Sequence, residues 1–87
     1  MNAAQIIEYA CREGFRTIVT EAMVTAAIAT LPQPFTCQDV VLAIPRDARG
    51  CTVSEYLVAL WIDDMVERRQ LRWTGVQRPR TYRSTST

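Results

Sequence analysis

The sequence predicts a small α+β domain that is mostly helical and carries a short antiparallel β-hairpin near its carboxyl end. The chain has 87 residues, 48% of them hydrophobic, which suits one domain with a modest core. Much of it shows the three-to-four-residue apolar spacing of amphipathic helices. Residues 71–74 instead alternate apolar and polar side chains, Gly75 and Pro79 bound a turn, and residues 80–84 can return as the partner strand.

Two helices are expected in the first part of the chain. Asn2 can cap the first helix, and Gly14 can end it. Its apolar stripe consists of Ile6, Ile7, Ala10 and Cys11. The second helix is expected from about residue 16 to residue 31, before Pro32 and Pro34, which cannot continue it. Because this second segment is apolar on most sides, we expect it to form the centre of the fold.

Two capping boxes predict where the later helices begin. Thr36 and Asp39 have the spacing of a capping box for a short third helix. Thr52 and Glu55 have the same spacing at the start of the longest helix, which should end within residues 67–70. At about 100° per residue, one side of this helix carries the expected core residues Leu57, Val58, Trp61, Ile62 and Met65. The opposite, outward side carries Thr52, Tyr56, Ala59, Leu60, Asp63 and Glu67.

We expect residues 1–14 to be a helix for packing or dimerisation, residues 15–84 the main domain, and residues 85–87 a frayed tail. The cysteines are odd in number and form no C-x-x-C pair, which predicts small buried side chains in a reducing compartment. They are Cys11, Cys37 and Cys51. The chain has no apolar run of about 18 residues and no evident secretory segment, so we expect a cytoplasmic location without membrane contact.

Charge is distributed unevenly along the chain, although the net charge is only +1. Residues 1–67 hold all nine acids and four arginines, whereas residues 68–87 hold six arginines and no acid. The six arginines are Arg68, Arg69, Arg72, Arg78, Arg80 and Arg83. This asymmetry predicts a local positive field at the hairpin that the net charge conceals.

The sequence lacks the usual signs of an enzyme. It has no histidine, no glycine-rich phosphate loop and no metal-ligand spacing. Asp63 and Asp64 are neighbours on a helix and diverge by about 100°, so they cannot converge as an acid/base pair. Cys37 and Cys51 have no imidazole to activate them. We therefore expect no catalytic residue, metal, cofactor or small-molecule substrate.

The order of these segments resembles the winged helix-turn-helix family. The resemblance lies in residues 35–40 before the short helix, residues 58–62 within the long helix, and residues 65–72, MVERRQLR, at its end. In the family, a similar aliphatic pair followed by Glu and Arg leads from the recognition helix into the first wing strand. The resemblance covers about residues 20–83 and implies a winged helix-turn-helix with an extra N-terminal helix. The family mostly binds DNA, but it also contains many protein-binding modules.

The resemblance and the basic hairpin together suggest a small DNA-binding protein, a transcription regulator of bacterial or phage origin that dimerises through its first helix. The start of the long helix would approach the bases or phosphates of double-stranded DNA, and the wing arginines would hold the backbone. The expected DNA-binding residues are Arg49, Thr52, Ser54, Tyr56, Arg69, Arg72, Arg78, Arg80 and Arg83.

The outward face of the long helix also permits a second hypothesis, because it offers no arginine, lysine, asparagine or glutamine to read bases. Exposed aromatic and aliphatic side chains beside acids are typical of a protein interface. The chain would then be a protein-binding module, such as a phage-type inhibitor or adaptor of a host complex, with Tyr56, Leu60, Asp63 and Glu67 as its contacts. A third reading is that these arginines form only a solvated face, with Asp64 and Arg68 as an i, i+4 ion pair on the long helix.

Overall fold

Helices and a small sheet make up the residues described by the computed structural model, which are 2–15, 18–46, 53–74 and 80–85. The helices are α1 (Ala3–Arg12), α2 (Glu21–Ala29), α3 (Cys37–Ala43) and α4 (Glu55–Glu67). The strands are β1 (Phe35–Thr36), β2 (Leu71–Trp73) and β3 (Thr81–Ser84). The predicted α+β class is therefore confirmed. Within these residues, no helix is both long enough and apolar enough to cross a membrane.

Side-chain caps fix the starts of α1 and α3 as the sequence predicts. The Asn2 side chain accepts a hydrogen bond from the Gln5 amide, and the Gln5 side chain accepts one from the Asn2 amide, both at 2.9 Å. Thr36 and Asp39 form the corresponding reciprocal pair, at 3.1 and 2.9 Å. Gly14 follows α1 with φ of +73°, a left-handed conformation that glycine adopts without a steric penalty.

The predicted bounds of two helices are wrong. The long helix α4 begins at Glu55 instead of Thr52, which lies outside the described residues. Ser54 occupies its N-cap position, and the Ser54 side chain makes no capping hydrogen bond. Helix α2 covers Glu21–Ala29 instead of residues 16–31, because the Thr20 hydroxyl accepts from the Met23 amide and starts the helix there.

Helix α4, rather than α2, forms the centre of the fold. It packs against α1, α2, α3 and β2, and all five of its predicted core residues are buried. The Trp61 ring donates its Nε1–H to the Val19 carbonyl oxygen at 2.8 Å, which ties the segment before α2 to α4. Helix α2 leaves several of its alanines exposed. A mostly alanine surface is apolar but small, so burying it stabilises the fold less than burying the large side chains of α4.

The sheet has three antiparallel strands in the order β1-β3-β2. The predicted hairpin strands pair as expected, and the turn between them lies outside the described residues. The short extended segment after α2, which we did not predict to pair, becomes β1 through the partners Phe35↔Tyr82 and Thr36↔Thr81. The sheet therefore connects the segment before α3 to the strand that follows the turn.

The cysteines and Thr85 differ from the predictions, and residues 86–87 of the predicted tail lie outside the described residues. Cys11 is exposed rather than buried, and Cys37 is half-buried; both are free thiols, and Cys51 lies outside the described residues. Burial, with Glu55 and Asp63 nearby, raises the pKa of Cys37 to about 11. Thr85 does not fray: its amide donates to the Gln70 carbonyl at 3.1 Å, and its hydroxyl donates to the Arg69 carbonyl at 2.5 Å.

Candidate nucleic-acid interface

Two arginines face each other across the hairpin. Arg72 on β2 lies directly opposite Arg83 on β3, and directly opposite residues of antiparallel strands point to the same side of the sheet. Both side chains are exposed. Within the described part of the chain, neither has an ion-pair partner. Like charges in this arrangement repel each other, so a bound anion would stabilise them.

The buried residues of the sheet hold these arginines outward. Leu71 and Tyr82 lie on the opposite face and are buried. A slip of one residue would turn every side chain to the other face, so burial of Leu71 and Tyr82 fixes the register. The Ser84 amide donates to the Gln33 side-chain oxygen at 3.0 Å, which anchors the end of β3. The exposure of Arg72 and Arg83 is therefore a consequence of core packing.

Arg69 joins the pair from the end of α4. It has φ of +62°, a left-handed conformation that costs a residue other than glycine about 1–2 kcal/mol. The hydrogen bonds from Thr85 to Arg69 and Gln70 hold the chain at this reversal. Arg69 and Arg72 line the same groove. We refer to Arg69, Arg72 and Arg83 as the arginine cluster.

Two other arginines of the basic carboxyl-terminal segment are already engaged. Arg68 is paired with Glu21 of α2, and its Nε lies 3.0 Å from Oδ2 of Asp64. The predicted i, i+4 pair of Asp64 and Arg68 therefore exists. Because Asp64 is only 5% exposed, this pair lies partly in the core. The Arg80 guanidinium lies over the Trp73 ring, 4.3 Å from the ring centroid, as a cation–π contact. The arginine cluster is therefore freer to bind an anion than Arg68 or Arg80.

The outward face of α4 is acidic and partly covered. Tyr56 is 55% exposed and packs on Tyr9 of α1, with ring centroids 5.8 Å apart. Leu60 is half-buried against the core, so it is a poorer partner contact than we predicted. Asp63 and Glu67 are exposed. Partial loss of solvent around the Asp63 carboxyl, followed by the charge of Glu67, raises its pKa, and Arg80 opposes this shift.

The predicted DNA-binding residues do not form one group. Arg69, Arg72 and Arg83 come together at the carboxyl end of α4, with Arg80 on the neighbouring hairpin. Ser54 and Tyr56 lie at the other end of this helix, which is about 20 Å long at 1.5 Å per residue. The remaining predicted residues, Arg49, Thr52 and Arg78, lie outside the described residues.

Two side chains with a functional position were missed in the sequence analysis. Trp73 is 52% exposed, although its alternation with Leu71 suggested a half-buried strand face. The sequence did offer one sign of this exposure: Trp73 lies next to the predicted turn, and residues near a turn are generally closer to solvent. Glu21 pairs with Arg68 across 47 positions of sequence, and no local pattern predicts such a contact.

Folding raises the pKa of Asp63, so its ionised form opposes folding. This cost is present above the folded-state pKa and is relieved as the pH falls through it. We expect Asp63→Asn to raise the Tm at pH 7 by only about 1–2 °C, because solvent screens this exposed carboxyl and weakens the cost. In thermal melts, the difference from the parent should shrink on acidification. Glu8→Gln on α1 is the matched control, and an unchanged or lower Tm for Asp63→Asn at pH 7 would contradict the prediction.

The sequence was also compared with known proteins. No family model matches the chain, and neither curated proteins nor solved structures provide a match. Its function therefore has to be inferred from the arrangement of its side chains.

Proposed function

We propose that the chain is a winged-helix domain that binds double-stranded DNA through the phosphate backbone, in a transcription regulator of bacterial or phage origin. The order of the elements from α2 to β3 supports the winged-helix interpretation, with α1 as an additional helix. The sheet order β1-β3-β2 agrees with it. The observation that carries the DNA-binding proposal is the Arg72–Arg83 pair, which is exposed and lacks an ion-pair partner among the described residues.

The chemistry of the arginine cluster suits phosphate. A guanidinium is planar and always charged, and it donates two parallel hydrogen bonds to a phosphate. A phosphate between Arg72 and Arg83 would attract both guanidinium groups and offset the repulsion between them. If all three cluster residues contact phosphates, the logarithm of affinity should fall against the logarithm of salt concentration with a slope of about −2.7.

This binding should depend little on DNA sequence. The outward face of α4 has no side chain of the kinds that usually make bidentate contacts with bases, and Asp63 and Glu67 would repel phosphates near it. Phosphate contacts position a protein on DNA without carrying sequence information directly. The proposed role of α4 is therefore to hold the hairpin beside the duplex.

A mobility-shift titration with random-sequence duplex DNA at low salt tests the proposal. We expect retardation at micromolar protein, similar midpoints for unrelated duplexes, and progressive loss of the complex as salt is added. Retardation of only one sequence would contradict backbone binding. No retardation at micromolar protein would remove the proposal.

The face of α4 supports a second candidate function, a module that binds a protein partner. Tyr56 remains 55% exposed beside Tyr9, and Asp63 and Glu67 extend the same face as acids. An aromatic side chain rimmed by carboxylates suits a partner with a basic rim around an apolar pocket. This candidate predicts no DNA retardation. It also predicts that Glu67→Arg abolishes partner capture in a pull-down while the domain stays folded, and retained capture would contradict it.

The expectation of a homodimer through α1 stays a prediction. Ile6 and Ala10 of α1 are buried within the chain, where α1 packs against α4. The rest of the helix exposes mainly small and polar side chains.

A further inference from the structure

An open groove runs beside β2, next to the arginine cluster. Its volume is about 480 Å³. The lining residues are Val66, Arg69, Leu71, Arg72, Trp73 and Thr85. Val66, Leu71 and Trp73 make it apolar, two arginines supply positive charge, and no carboxylate occurs among these lining residues. The groove therefore suits an occupant that is flat or apolar at its centre and anionic at its edges.

Trp73 offers this groove an aromatic surface. One face of its ring is covered by the Arg80 guanidinium at 4.3 Å from the centroid. Arg80 is not among the residues that line the groove, so the groove meets Trp73 on another side. Half of the side chain is exposed. A planar group could therefore stack on Trp73 without displacing Arg80.

We infer that this groove holds an unpaired DNA base stacked on Trp73, with the flanking phosphates on Arg69 and Arg72. The inference rests on the proposed function and names the preferred form of DNA, a duplex that continues into a single strand. Trp73 lies on the sheet face opposite Arg72 and Arg83, but Arg72 also lines the groove and β2 is an edge strand. A strand leaving the duplex would therefore pass Arg72 around the outer edge of β2 to reach Trp73. Aromatic stacking with cationic contacts to the backbone is how single strands are bound without sequence preference.

An acidic peptide with an apolar side chain would match the charge of the groove, but the observations favour a nucleotide. Stacking uses the flat surface of Trp73, whereas an aliphatic side chain does not need an aromatic partner. The position of Arg72 between the groove and Arg83 also fits a repeating phosphate backbone better than a short peptide. The two occupants can be separated by competition.

Three fluorescently labelled ligands test the inference: a blunt duplex, the same duplex with a tail of five thymidines, and the duplex with five abasic nucleotides. The two tails carry the same phosphates and differ only in their bases. We expect the thymidine tail to bind about 5- to 150-fold more tightly than the abasic tail, measured by anisotropy at fixed salt. Equal affinity for the two tails would overturn the inference and leave duplex binding intact. Failure of all three ligands to bind would instead remove the proposed function.

Substitutions at Trp73 assign the effect to this residue. Trp73→Ala should remove the preference for the thymidine tail, and Trp73→Phe should keep most of it, with circular dichroism showing that both are folded. Tail preference that survives Trp73→Ala would overturn the inference. A glutamate-rich peptide containing one leucine is the competitor. Free oligothymidylate is the reference competitor. If the peptide displaces the thymidine-tailed duplex at the same concentration as oligothymidylate, the occupant is a protein segment and the inference is wrong.

Discussion

Replacing both Arg72 and Arg83 with alanine is expected to remove most of the affinity for duplex DNA. Each exposed contact between an arginine and a phosphate contributes up to about 1 kcal/mol, so the double variant should bind up to about 30-fold more weakly at low salt. The slope of log affinity against log salt should become less negative by about 1.8, because two phosphate contacts are lost. A salt titration of fluorescence anisotropy measures both quantities.

Arg12→Glu is the matched control for this double variant. Arg12 is exposed on α1 beside the Tyr9 ring, and Tyr9 packs on Tyr56 at the opposite end of α4 from the arginine cluster. The substitution changes the net charge by the same two units without removing a cluster arginine. We expect only a small loss of affinity and an unchanged salt slope. An equal loss in both variants would mean that net charge, rather than the arginine cluster, controls binding.

The same pair of arginines should behave differently in a stability measurement. Because Arg72 and Arg83 repel each other across the hairpin, removing either one relieves an unfavourable interaction of a few tenths of a kcal/mol. Loss of DNA binding by variants that melt at or above the parent temperature would separate recognition from folding. If Arg72 and Arg83 mainly stabilised the fold, the variants would instead melt at a lower temperature than the parent protein.

Local patterns in the sequence were sufficient for much of the fold. Asn2, Thr36 and Asp39 make the predicted caps because a capping box lies within four consecutive residues. The core side of α4 was also predicted, since large apolar side chains at helical spacing leave few other orientations. The hairpin strands followed from alternation and turn residues. The alternation of residues 71–74 also puts Arg72 on the polar side of its strand, but it does not predict that Arg83 lies directly opposite.

Features that depend on distant contacts were not predictable in this way. Phe35 and Thr36 become a strand only because β3 comes to lie beside them. The i, i+4 spacing predicts Asp64 as one half of a surface pair, but the Asp64 side chain is buried and its partner Arg68 also pairs with Glu21 of α2. The exposure of Trp73 depends on where α4 ends relative to the sheet. The candidate site was therefore predicted as a set of charges, and its aromatic component was missed.

The centre of the core offers the largest expected effect on stability, at Trp61. Its side chain is 2% exposed, and its Nε1–H donates to the Val19 carbonyl oxygen at 2.8 Å. Trp61→Ala should lower the free energy of unfolding by about 3–5 kcal/mol, because it opens a large cavity and leaves a buried carbonyl without its donor. A domain of this size has a total of only about 4–13 kcal/mol, so the variant should be largely unfolded at moderate urea concentrations.

Two other substitutions separate the causes of this loss. Trp61→Phe keeps most of the buried area but removes the hydrogen bond to Val19, so we expect an intermediate loss of about 1–3 kcal/mol. Trp73→Ala makes the same change as Trp61→Ala at a half-exposed position and should cost less than about 1 kcal/mol. If urea denaturation shows equal losses for Trp61→Ala and Trp73→Ala, then α4 is not the centre of the core. The arginine cluster would then lack the rigid support that the proposed DNA contacts require, because α4 holds both the start of the hairpin and Arg69.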